Sequence, residues 1–186
     1  MLRRLHAITQ ELQQHLDASR RELLAAVAAV PAADRDRTPR DGGWSVANVL
    51  AHLARTEGQI AAFLARALRD AEATAPLPPA PAAAGSVLAT LDAERLLDRT
   101  TRLEAPAFAA PDPATTAATA TVALERARAR LCAVLHAADG RDTATLRRAH
   151  HVLGELTFAQ WIAFAGYHER RHTAQVRELG ASLMAG

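Results

Sequence analysis

The chain has 186 residues, a formal charge of +2 and 49% hydrophobic residues. A chain of this length can form one domain that buries roughly 70% of its unfolded surface. Alanine is about a quarter of the residues, lysine is absent and aromatics are 4%, which favours an all-α fold. All 22 basic residues are arginines, interleaved with acids as in Arg35-Asp36-Arg37 and Leu124-Glu125-Arg126. A nucleic-acid surface would gather them on one stripe, so no nucleic-acid partner is expected.

All nine prolines fall outside four long periodic stretches. The first predicted helix covers residues 3–30 and stops at Pro31. Its inward stripe is Leu5, Ile8, Leu12, Leu16, Leu23, Val27 and Val30. A polar loop with Pro39 and Gly42-Gly43 leads to Ser45, a good N-cap for a second helix over residues 46–71. Residues 73–113 are rich in Pro and Ala, with a shorter helix expected over 87–103 between irregular flanks. A third long helix is expected over 114–138. The fourth starts at Thr157, where Thr157-Phe158-Ala159-Gln160 fits a capping box, and ends at Gly180 as a C′ residue. No stretch has the alternation of a strand. These elements specify one domain over residues 1–186, all-α, a four-helix bundle with a long crossover connection between helices two and three.

No run approaches about 18 uninterrupted apolar residues, so no membrane partner is expected. The N-terminal residues lead into Gln and Glu rather than an apolar signal segment, and the expected location is cytoplasmic. The lone Cys132 excludes an internal disulfide and, within Leu131-Cys132-Ala133-Val134-Leu135, fits a small core position. Alanine-rich faces permit the close helix packing of a homodimer, which the sequence leaves open.

The chemistry concentrates in three histidines. His168 and His172 stand four apart on one helix face, about 6 Å apart along the axis, within the stripe Trp161, Ala165, His168, His172, Val176 and Leu179. Two buried neutral imidazoles each need a partner for a donor and an acceptor, and a shared cation satisfies one nitrogen of each ring. His52, on the second helix beside its apolar stripe, is placed to supply a third ligand. Three imidazoles with a fourth position open can bind a metal and activate a water or a thiol.

His168-Glu169-Arg170-Arg171-His172 also satisfies H-E-x-x-H literally. The 14 residues after His172 contain no His, Asp or Cys, and Glu178 points away from the ligand face. A zinc protease of that type is therefore disfavoured. Glu169, Arg170 and Arg171 are expected to face solvent, and Glu57 to be a supporting or surface charge. His6, His15 and His136 are expected at the surface, with His150-His151 in an exposed loop. Trp44 is expected to pack the entry loop on the bundle, or else to form a substrate wall.

Three segments carry a resemblance. Trp44-Ser45-Val46-Ala47-Asn48-Val49-Leu50-Ala51-His52-Leu53 resembles the entry to the second helix of DinB-like four-helix bundle proteins. His150-His151-Val152-Leu153-Gly154-Glu155-Leu156-Thr157, followed by Trp161, is similar to their approach to the last helix, with His151 where proline is usual. Tyr167-His168-Glu169-Arg170-Arg171-His172-Thr173-Ala174-Gln175-Val176 resembles their closing segment. The three come in the family's order across about residues 5–180, while residues 73–113 do not align. The resemblance implies a divalent metal, zinc or nickel, on His52, His168 and His172, and a link to low-molecular-weight thiols. Relatives of that kind transfer bacillithiol or mycothiol to electrophiles, or are described as hydrolases. The expected function is a metal-dependent thiol-S-transferase or hydrolase acting on a small-molecule substrate. The alternative is a non-catalytic helical bundle whose metal is structural or incidental and which binds a small molecule or a protein. Gln175, one turn beyond His172, is expected to hold that ring by a hydrogen bond.

Overall fold

The structure is a computed structural model that describes residues 5–39, 42–82, 85–100, 111–112 and 114–184. It is mostly helical. α1 spans Ala7–Ala28 and α2 spans Val46–Thr74. The short α3 is Ala93–Leu97, followed by α4, Ala117–Ala137, and α5, Phe158–Met184. α2 lies along α4 and α1 along α5, and further contacts join α2 to α5 and α1 to α4. Among the described residues no helix is long and apolar enough to cross a membrane.

The helix starts follow local chemistry. Ser45 caps α2 in a reciprocal box: its hydroxyl accepts from the Asn48 amide at 3.2 Å, and the Asn48 side chain accepts from the Ser45 amide at 3.1 Å. Thr157 and Gln160 form the same device ahead of α5, at 3.3 and 3.0 Å.

Three expectations are corrected. A two-stranded antiparallel hairpin, β1 (Arg147–His150) and β2 (Gly154–Thr157), precedes α5. Its strands are four residues long and mostly exposed, too short for an alternating pattern, and Gly154 supplies the positive φ of +75° that ends the turn. α5 continues through Gly180 to Met184. A Cβ at Gly180 would lie 3.0 Å from Val30 Cγ2, so this glycine lets α5 pack against the chain just past the end of α1 rather than ending a helix. The helix expected over 87–103 is instead a 3-10 turn at Leu88–Thr90 and α3. Leu91 is extended, at φ −112° and ψ 142°, and Asp92 caps a new start by accepting from the Arg95 amide at 3.0 Å. Residues 101–103 of that expectation, residues 3–4 of the first helix and part of the 73–113 connection lie outside the described residues.

Two apolar clusters fill the interior. One joins Leu12, Leu16, Ile60, Leu64, Leu131 and Ile162, and the other joins Leu23, Val27, Leu50, Leu53, Leu124 and Val176. Between them lies a polar layer of buried Ser19, Glu57, Arg128, Glu169 and Thr173, joined by the half-buried Arg20.

Candidate metal centre

The three predicted histidines meet. His52 is buried on α2, while His168 and His172 are half-buried on α5. One nitrogen of each ring lies within 4.8 Å of the others. His52 Nε2 faces His168 Nε2 at 3.3 Å. Ring centroids are 4.6 Å apart for His168–His172, 4.8 Å for His52–His172 and 5.1 Å for His52–His168. Two nitrogens on one tetrahedral zinc, each at about 2.0–2.1 Å, stand roughly 3.3 Å apart. The His52–His168 spacing fits that figure.

Protonation states suit ligation. Burial, reinforced by His172 and His52, holds His168 well below the ordinary imidazole value. Burial first, then electrostatic coupling to His52, pushes His172 down to about 3. These two rings are therefore neutral near neutral pH, the form that binds metal. Gln175 Oε1 lies 2.8 Å from His172 Nδ1. An amide oxygen only accepts, so Nδ1 carries the proton and Nε2 keeps its lone pair for the cluster. Among the described residues no Cys, Asp or Glu joins the three.

Aromatic rings wall the centre. Trp44 lies 5.0 Å from the His52 ring and stacks on His172 at 6.4 Å and 17°. It serves as a wall of the site and not only as packing for the entry loop. Phe164 stacks on His168 at 5.4 Å and 28°.

Glu169, the acid of the literal H-E-x-x-H, is not solvated: it is 1% exposed. Its carboxylate accepts from Arg20 Nε at 2.6 Å, from Arg128 Nη2 at 2.8 Å and from the Ser19 hydroxyl. Committed to two guanidiniums and the Ser19 hydroxyl, it does not fit the general-base role of a zinc protease. Glu57 is likewise buried and accepts from Arg20 Nη2 at 2.9 Å and from Arg128 Nε. Burial pushes the Glu57 carboxyl up against the pull of Arg128 and Arg20. Desolvation opposes the charge on Arg128, yet Glu57 and Glu169 hold its guanidinium above its ordinary value. The sequence carried a signal for this. Glu169 lies on the stripe Ile162, Ala165, Thr173 and Val176, and Arg128 lies between Leu124 and Leu131, both core-facing positions.

The model of the DinB superfamily matches residues 15–176. The chain belongs to the DinB superfamily. No curated protein and no solved structure matches it. The DinB match spans His52, His168 and His172, together with Arg20, Glu57, Arg128 and Glu169.

The remaining histidines of this DinB-superfamily chain divide. His136 is exposed and His6 half-exposed, where it caps α1 through Nδ1. His15 is not at the surface: it is 5% exposed, and its Nε2 donates to Ala163 O at 3.0 Å. Gly166 makes room for it, since a Cβ there would stand 2.2 Å from His15 Nε2. Tyr167 packs on the same ring at 4.6 Å. His151 is exposed, but His150 is half-buried at the end of β1 rather than in a loop. Its Nδ1 accepts from the Val152 and Leu153 amides at 3.1 and 3.2 Å, so that nitrogen is unavailable to an ion. Burial takes His150 down to about 4. Cys132 is half-buried, and burial raises its thiol, which disfavours a nucleophilic thiolate.

Proposed function

We propose that the chain is a metal-dependent enzyme on a four-helix bundle, with His52, His168 and His172 holding one divalent ion, zinc or nickel. Its reaction would be thiol transfer or hydrolysis on a small electrophilic substrate, carried out in the cytoplasm. The observation that carries the reading is the convergence of three imidazoles, with no fourth protein ligand of the Cys, Asp or Glu type among the described residues. Three protein nitrogens leave a tetrahedral ion one exchangeable position, the mark of a catalytic rather than a structural site. Bound there, the ion supplies a lowered pKa to a water or a thiol near neutral pH.

The protein's own part is positional. His52, His168 and His172 present lone pairs, and Gln175 fixes the His172 tautomer. Trp44 and Phe164 shield the rings from bulk water. The thiol would arrive with a small molecule, since Cys132 is on α4 and its thiol is held in the protonated form.

A second reading is a non-catalytic bundle with a structural ion. It is favoured by the engagement of Glu57 and Glu169 in ion pairs, which leaves neither carboxylate as an acid or base. Protein purified without added metal, assayed with bacillithiol, mycothiol and glutathione against a panel of electrophiles, separates the two. The first reading predicts turnover that chelator abolishes and that His168→Ala lacks. Full turnover in metal-free protein would contradict it. A metal whose removal lowers the unfolding temperature, with no exchangeable ligand, would favour the second.

A further inference from the structure

Each long helix sends one charged side chain into the layer between the two apolar clusters: Arg20 from α1, Glu57 from α2, Arg128 from α4 and Glu169 from α5. The charges alternate and cross-link. Each arginine touches both glutamates. The guanidiniums also reach backbone carbonyls across helices, Arg128 to Leu16 O on α1 and Arg20 to Leu124 O on α4, the latter at 3.3 Å. Ser19 completes the square by donating to Glu169.

We propose that this square positions the three-histidine centre: Glu57 and Glu169, held by Arg20 and Arg128, fix the rotation and axial offset of α2 against α5. His52 then meets His168 and His172 before an ion arrives. The inference rests on the reading of the histidines as a metal centre. Glu169 directly follows His168 and precedes His172 by three residues, and Glu57 follows His52 by five. Each carboxylate is thus rigidly tied to the ligands on its own helix. A one-residue slip of α5 would move its side chains about 1.5 Å along the axis and about 100° around it. That would separate Glu169 from both guanidiniums and the α5 histidines from His52 in one motion.

Apolar packing alone sets such a register weakly, because burial is non-directional. Guanidinium–carboxylate pairs are directional and geometrically narrow. Buried ion pairs contribute little net stability over apolar residues of similar volume, and their better-attested use is to select one arrangement. The square also occupies both carboxylates, which keeps them from entering the metal's coordination and displacing an imidazole.

The test uses the full chain as wild type, Glu57→Gln, and the double variant Glu57→Met with Arg128→Met. Zinc affinity is measured by chelator competition, the ligand field by the visible spectrum of the cobalt-loaded protein, and stability by the unfolding midpoint of the metal-free form. Zinc and cobalt alone are the probes. Wild type is expected to take one ion with a tetrahedral cobalt spectrum. The double variant, which removes a charge pair rather than one partner, is expected to keep or raise its metal-free midpoint. Its zinc affinity should nevertheless fall about tenfold or more, the scale of outer-partner losses, with altered cobalt bands. A purely structural square would leave affinity and bands unchanged, and that result overturns the proposal. Should the double variant not fold, Glu57→Gln carries the same comparison at a temperature where circular dichroism shows it folded. Wild-type protein that binds no ion would sink the metal reading itself, and this inference with it. Wild-type binding with unaltered variants sinks this inference alone.

Discussion

Two polar clusters share the interior, and they meet the cost of burial in opposite ways. In the square of Arg20, Glu57, Arg128 and Glu169, donors face acceptors, and none of these side chains has a buried atom without a partner. In the trio of His52, His168 and His172, ring nitrogens face ring nitrogens. The rings of His168 and His172 are held neutral, the form that binds a metal. A buried polar group that is fully paired is part of the scaffold. A set of imidazole nitrogens that converge on one another has the donor chemistry to hold a cation. Both clusters draw residues from the same short segment, His168 to His172, and the chemistry of the groups they face tells them apart.

The largest expected effect breaks the trio. His168→Ala should reduce zinc affinity by more than the ten- to hundredfold that follows loss of an outer partner, measured by chelator competition, while the metal-free protein keeps its stability. Breaking the square by removing one partner adds a loss of metal-free stability to the loss of zinc affinity. Arg128→Met strands two buried carboxylates on Arg20 alone and should cost about 3–5 kcal/mol in urea unfolding. Gly166→Ala probes a third buried polar group, His15, which a backbone carbonyl already satisfies. The new Cβ has no room beside that ring, and the expected loss in urea unfolding is about 1–3 kcal/mol. Gln175→Leu leaves the ligands in place but frees the His172 tautomer, so zinc affinity should fall about tenfold with little change in metal-free stability.

A further effect is on pH. His15, His150, His168 and His172 all titrate below 6.5 in the folded chain, His150 at about 4 and His172 at about 3. Between those values and 6.5 the unfolded chain binds protons that the folded chain refuses. Metal-free stability is therefore full above about pH 6.5 and falls as the pH drops toward 4 and then 3. The raised Glu57 carboxyl works in the other direction, one group against four. Thermal midpoints between pH 7.5 and 4.5 should decline, and a flat profile would show that these rings are not held neutral by the fold.

Much of this was legible in the sequence, and the exceptions have a common cause. The long helices were marked by proline punctuation and by the Ser45 and Thr157 caps, which obey local rules. The histidine trio was legible because His168 and His172 interrupt an apolar stripe with a residue type that binds metals. Glu169 was misplaced because a charge is assigned to solvent unless a counter-charge is known. Its partners, Arg20 and Arg128, are 149 and 41 residues away. Reading each helix by itself conceals the square, whereas the four stripes taken together reveal it. Arg20 lies between Leu16 and Leu23, Glu57 between Leu53 and Ile60, Arg128 between Leu124 and Leu131, and Glu169 between Ala165 and Thr173. Two positive and two negative charges at core positions balance to zero. The β hairpin was not legible, because strands of four residues with Leu156 as their one buried position carry no alternating pattern, and only the Gly154 turn marks it.

The most direct test is X-ray absorption at the metal edge of protein purified without added metal, run beside elemental analysis of wild type and of the variant lacking all three histidines. The account predicts one divalent ion per chain, bound by three imidazole nitrogens at about 2.0–2.1 Å with one exchangeable ligand, and no ion in the triple variant. An ion retained undiminished when His52, His168 and His172 are all replaced by alanine would contradict it.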